Sequence, residues 1–184
     1  MRPDPNWQRA VLLMQQQRWP MAIQELRGLL AQQPEHAHAH ALLAIALTAT
    51  EEFAAGGEEA RQAIALEPDS DFAHRALAIA LHGERRFDEA AAAIGTAIAL
   101  QPDDVDHHST LAQIRLSQRR WADALSAADQ GLTLDPHDID CLNLRAIALS
   151  KLGRGGEATD TVDASLARDP DNPLTHQARG WALL

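Results

Sequence analysis

The chain is 184 residues long, 46% hydrophobic and only 4% aromatic, with no tyrosine. Its formal charge of −10 argues against a nucleic-acid partner, which needs a basic stripe, and its single cysteine, Cys141, cannot close an internal disulfide. No run of residues reaches membrane-spanning length, and the apolar stretch from Ala10 to Met14 is too short for a signal-peptide core.

Taken in order, the chain starts with a Pro- and Asp-containing lead-in, Met1 to Asn6. Apolar positions then fall at i, i+3 and i+4, the spacing of one helix face. Ala10 and Leu13 mark a first helix, and Ala22, Leu26 and Leu29 mark a second over about 21–32. Pro20 stands at its start, where a missing N–H costs least. A second unit, about 37–67, opens HAHAHALLAIAL; its second helix is expected to begin at Gly56-Gly57 and to be softened by those glycines. The third unit, about 71–101, contains FDEAAAAIGTAIALQP, and the fourth, about 105–135, contains RRWADALSAADQGLTLDP. The fifth, about 139–169, has GRGGEA where the others have an aromatic, which predicts a weaker helix pair. NPLTHQARGWALL repeats the first helix of a unit and stops. Its apolar end, Trp181, Leu183 and Leu184, reads as an excerpt from a longer protein.

One period of thirty-four residues underlies all of this. Prolines recur at Pro34, Pro68, Pro102, Pro136 and Pro170. Large rings recur at Trp19, Phe53, Phe87 and Trp121, with Gly155 in the fifth copy. Small residues recur at Ala22, Gly56, Ala90, Ala124 and Ala158, and again at Ala10, Ala44, Ala78, Ala112, Ala146 and Gly180. Leucines recur at Leu13, Leu47, Leu81, Leu149 and Leu183, broken by Arg115. A fixed period of this length is the mark of a repeat architecture. In these columns the chain resembles the tetratricopeptide repeat (TPR) family over nearly its whole length. The resemblance implies an all-α fold, a right-handed α-solenoid of helix-turn-helix units forming a single domain over 1–184. Its repeats are about 3–36, 37–70, 71–104, 105–138 and 139–172, followed by a partial sixth, an orphan helix over 173–184.

Charges are ordered along the repeat. Loops between units carry Asp69, Asp71, Asp103, Asp104, Asp106, Asp138, Asp140 and Asp171; turns within units carry Arg18, Arg85, Arg86, Arg119, Arg120 and Arg154. The acids are expected to cap the first helix of each unit, and the arginines to meet the negative pole at its end. The nearly lysine-free basic complement, with Lys151 alone, and the alanine excess read as a bacterial coding bias.

The first helix of each unit has a second face, which the family places on a concave groove. Projection by spacing puts Trp7 and Val11 there in unit one, then His38, Ala41, Leu42 and Ile45, then Phe72, Arg75, Ala76 and Ile79. Unit four contributes Ser109, Thr110 and Gln113, and unit five Asn143, Leu144 and Ile147. The resulting expectation is a non-enzymatic scaffold that binds a peptide or helical segment of a protein partner through Trp7, His38, Leu42, Ile45, Phe72, Arg75, Ile79, Gln113, Asn143 and Ile147. Chaperone-binding members of the family grip a peptide carboxylate with Lys, Asn and Arg on successive first helices. Here the matching positions hold Ile79, Thr110, Asp140 and Leu144, and only Arg75 fits, so chaperone tails are poor candidates.

His40, His74, His108 and His176 form another column, and His36, His38 and His40 cluster. Column mates on successive helices, about 8–10 Å apart, cannot share one ion, so they are expected to be packing histidines with no metal and no cofactor. Nothing groups an acid, a base and a nucleophile as catalysis requires. The expected setting is cytoplasmic, with no nucleic acid and no membrane contact by this segment. Two alternatives stand beside the groove. Apolar ends bearing Trp7, Met14, Trp181 and Leu184 could stack copies into a homo-oligomer, or the chain could be the recruiting arm of a longer enzyme or membrane-anchored protein.

Overall fold

A computed structural model describes residues 5–168, 170–171, 175–176 and 179–180. Most of the expected sixth helix lies outside these residues, including Trp181, Leu183 and Leu184. Among the described residues the regular elements are ten α-helices: α1 Pro5–Gln15, α2 Trp19–Gln32, α3 Ala37–Ala49, α4 Phe53–Leu66, α5 Asp71–Gly83, α6 Phe87–Leu100, α7 Val105–Ser117, α8 Trp121–Leu134, α9 Ile139–Lys151 and α10 Gly155–Leu166. Sequential helices pack as antiparallel pairs, giving the all-α solenoid class of helix-turn-helix repeats. None of these helices is long and apolar enough to cross a membrane. The helices fall into two compact bodies, α1–α6 and α7–α10.

Each turn between paired helices uses one left-handed residue. Gln17, Glu51, Arg85, Arg119 and Gly153 have φ of 55°, 63°, 63°, 59° and 75°. They stop the first helix and redirect the chain into the second, a role that glycine fills most cheaply. Helix starts are more varied than the acidic row suggested. α3 is capped by His36 Nδ1, which accepts from Ala39 N–H at 3.3 Å, and α5 by Ser70 Oγ, which accepts from Ala73 N–H at 3.3 Å. α7 and α9 use aspartates: Asp104 accepts from Asp106 N–H at 2.8 Å, and Asp138 from Cys141 N–H at 2.7 Å.

The arginine row also differs from expectation. Arg18, Arg120 and Arg154 are the N-caps of α2, α8 and α10, not the ends of the helices before them. Near the start of the second helix, a cation would oppose the helix dipole. Local carboxylates offset this: Arg86 binds Glu89 at 2.7 Å, Arg120 binds Asp123 at 2.5 Å and Arg154 binds Glu157 at 2.7 Å.

In the first body the core changes character along the chain. Ile23, Leu26, Leu29, Leu43 and Leu47 fill the space among α1, α2 and α3, with Trp7, Met14 and Trp19 packed against them. Between α3, α4 and α5 the buried residues are alanines: Ala41, Ala63 and Ala73 in one cluster, and Ala44, Ala60 and Ala76 in another. Side chains this small let helix backbones approach closely. Glycine does the same where a ring or another helix intrudes. A Cβ on Gly83 would lie 2.1 Å from the Phe53 ring, and one on Gly56 would lie 2.9 Å from Thr48 Cγ2 and 3.0 Å from the Ala44 carbonyl oxygen. The expected start of this helix at Gly56-Gly57 is therefore corrected. α4 begins at Phe53, and both glycines are buried within it.

The second body repeats the small-residue theme with Ala112, Ala127 and Ala128, then Ala146 and Val162. Successive helix pairs meet through residues ten apart in sequence. In the first body these are Leu29 with Ala39, then Ala63 with Ala73. In the second they are Gly131, whose Cβ would sit 2.4 Å from Cys141 Sγ, and Ser165, hydrogen-bonded to Thr175 at 3.0 Å.

Candidate functional site

Three first helices of the first body bring their rings together. Trp7 on α1 stacks on His36 at 5.1 Å between centroids and meets His38 at 5.3 Å. His38, in the first turn of α3, stacks on Phe72, in the first turn of α5, at 5.0 Å and 21° between planes. Arg75 places its guanidinium carbon 5.5 Å from the Phe72 ring centre. His38 and Phe72 are thirty-four residues apart, so the repeat itself aligns them. Leu42 and Ile45 continue one line from His38 along α3, as Arg75 and Ile79 do from Phe72 along α5, by the i, i+3/i+4 spacing of a helix face.

His38 is exposed, whereas Trp7, Leu42, Ile45, Phe72, Arg75 and Ile79 are partly buried. Leu42 packs against the leucine cluster, Phe72 against Ala41, Ala63 and Ala73, and Ile45 against Ala44, Ala60 and Ala76. Ala41 and Ala76 are fully buried and unavailable to a ligand. The face therefore both joins the repeats and presents a strip of apolar surface.

An open pocket of about 710 Å³ stands at the head of this strip, lined by Gln33, Pro34, Glu35, His36, Ala37, His38 and Glu67. Burial lowers the pKa of His38, and the neighbouring His36 lowers it further, while Glu67 and Asp71 pull the other way. The ring is thus held neutral at neutral pH. Sequence reasoning placed His38 on the groove but missed His36, Glu35 and Glu67, which lie in the loops before α3 and α5. The recurrence of the loop proline was the available signal, because it fixes where each loop delivers its neighbours.

The sequence-predicted residues of the second body do not form a comparable strip. Gln113 is exposed on α7, and Ile147 packs partly against Ala146 and Val162. Asn143 is corrected: it is 2% exposed, and its side-chain oxygen accepts from Ser165 Oγ at 3.1 Å. Spacing put it on the groove, but in this unit a polar junction between helices draws it inward. Thr110 is likewise buried and donates to the Asp106 carbonyl at 2.7 Å.

The histidine column has a definite structural task. His40, His74, His108 and His176 each place Nε2 against the carbonyl of the repeat proline six residues earlier: Pro34, Pro68 and Pro102 at 2.9 Å and Pro170 at 2.8 Å. Each ties a loop to the helix after it, which packing alone did not suggest. Cys141 is buried, and that burial, with the nearby Asp138, pushes its thiol well above the ordinary range. A thiol so placed is a poor nucleophile.

Comparison with known proteins supports this architecture. Family profiles described as tetratricopeptide repeat match residues 8–71, 75–139 and 115–182. No curated protein sequence matches. Among solved structures, a thermophilic TPR protein of Thermus thermophilus is similar at a TM-score of 0.86 and 17% identity, over 97% of this chain and 98% of that one. Pseudomonas aeruginosa PilF is similar at 0.78 and 21% identity, over 97% of this chain and 86% of that one. YrrB, described as a TPR protein with an unusual peptide-binding site, is similar at a TM-score of 0.66 and 16% identity, over 96% of this chain and 91% of that one.

Proposed function

Because the chain belongs to the tetratricopeptide repeat family, whose members are generally non-catalytic interaction scaffolds, we propose that it binds a peptide segment of a protein partner along the strip on α3 and α5. The observation that carries this reading is the continuous run of Trp7, His38 and Phe72 rings leading into Leu42, Ile45 and Ile79. Apolar surface gathered in one line is what an extended or helical segment needs for its anchors. YrrB makes peptide binding a use to which this fold has been put. Arg75, poised over Phe72, gives the strip one fixed charge.

The test uses peptides selected from a displayed random library against the intact chain. A selected peptide should lose most of its affinity for the Ile45→Asp/Ile79→Asp variant and keep it for Leu134→Asp, which changes an exposed leucine on α8. Thermal unfolding of each variant checks that the helices persist. Equal affinity for a folded Ile45→Asp/Ile79→Asp chain would place binding elsewhere and sink the groove reading.

A further inference from the structure

At the head of the strip, rings meet carboxylates. Glu35 and Glu67 line the pocket beside His36 and His38. Asp71 is close enough to act on the His38 charge, and neither Glu35 nor Glu67 is held in an ion pair among the described residues. Trp7 and Phe72 border the pocket, stacked on the lining rings His36 and His38, and aromatic faces such as theirs attract a cation lying within about 6 Å of the ring centre. One of those faces already does so: the Arg75 guanidinium lies 5.5 Å from the centre of Phe72. The chain as a whole carries −10, so its long-range field also draws positive partners.

We propose that this pocket takes the guanidinium or ammonium group of an arginine or lysine on the bound peptide, so that the partner is a basic segment with apolar flanks. The His36 and His38 rings that line the pocket pack on the flat or alkyl part of that side chain, and Glu35 and Glu67 balance its charge. Arg75 stands one turn further along α5, and it fixes polarity by repelling a second cation there. Leu42, Ile45 and Ile79 then receive the apolar flanks, so the inference rests on the groove reading above. The groups that act on His38 are His36 from its own loop, Glu67 from the loop before α5, Asp71 from α5, and the rings of Trp7 and Phe72. Protonating His38 adds positive charge beside the bound cation, so affinity should fall in acid.

The experiment titrates the intact chain with three short acetylated peptides in which leucine alternates with arginine, glutamate or serine, read by calorimetry and by tryptophan emission. The arginine peptide should bind about tenfold more tightly than the glutamate peptide, from one cation–π contact and two exposed charge pairs together. Glu35→Gln/Glu67→Gln, both at exposed positions, should erase that margin while leaving the serine peptide unchanged. The assignment is overturned if the glutamate peptide binds as tightly, if the double variant keeps the margin, or if the arginine peptide shows no binding at about 1 mM. Ile45→Asp/Ile79→Asp separates the two readings. If all three peptides bind the parent equally and all are lost on that variant, the groove stands and the cation pocket falls. Arginine preference that survives on it keeps the pocket and removes the groove.

Discussion

Gly131 sits where a side chain has no room. A Cβ there would lie 2.4 Å from Cys141 Sγ but 3.4 Å from His108 Cβ and 3.6 Å from Cys141 Cβ, so the sulfur is the main obstacle. Gly131→Ala should lower stability by about 1–3 kcal/mol, the usual cost of overpacking, despite alanine's better helix propensity. Gly131→Ala/Cys141→Ala should recover most of that loss, and urea unfolding of the two single variants and the double variant measures the coupling. Two histidines should make the fold sensitive to acid. Burial lowers the pKa of His38, aided by His36, and burial alone lowers that of His82. The unfolded chain therefore binds more protons as the pH falls below about 6.5, and stability present above that pH is lost on the way down. Urea midpoints followed from neutral pH into acid should show this decline, and His38→Gln should flatten it.

The turns inside each helix pair carry a correctable strain. Arg85 and Arg119 hold φ of 63° and 59° with full side chains, where the fifth unit uses Gly153 at 75°. Arg85→Gly and Arg119→Gly should each raise stability by up to about 1 kcal/mol, and Gly153→Ala should lower it by a similar amount. Thermal midpoints of the three variants decide this, and a loss on Arg85→Gly would show that its side chain matters more than its backbone. At the level of helices the sequence was highly legible, because period and apolar spacing act on the same residues. Helix ends were less so. The periodic alanine column hid that α4 starts at Phe53, and the acidic row hid that His36 and Ser70 cap α3 and α5. Along the candidate strip, side-chain placement was legible only where it followed the repeat. Trp7, His38 and Phe72 did follow it, but Asn143 was turned inward by Ser165, a partner that no helical projection of α9 includes.

Across the whole molecule, stability in a repeat protein is approximately a sum of unit and neighbour terms. The fifth pair lacks the ring that its counterparts have at Phe53, Phe87 and Trp121, and α10 begins with Gly155-Gly156 instead. Amide exchange should therefore be faster in α10 than in α4 or α6, and uniform protection across the three helices would refute that ranking. The residues joining successive pairs carry a consequence for descent. A large residue faces a small one at Leu29 and Ala39, two small ones meet at Ala63 and Ala73, nothing faces a sulfur at Gly131 and Cys141, and two hydroxyls meet at Ser165 and Thr175. Each seam has its own fit, so the units are not interchangeable bricks. A lineage that enlarges one side of a seam must trim the other, and related sequences should show paired changes ten residues apart, strongest at the seam where glycine already leaves no slack.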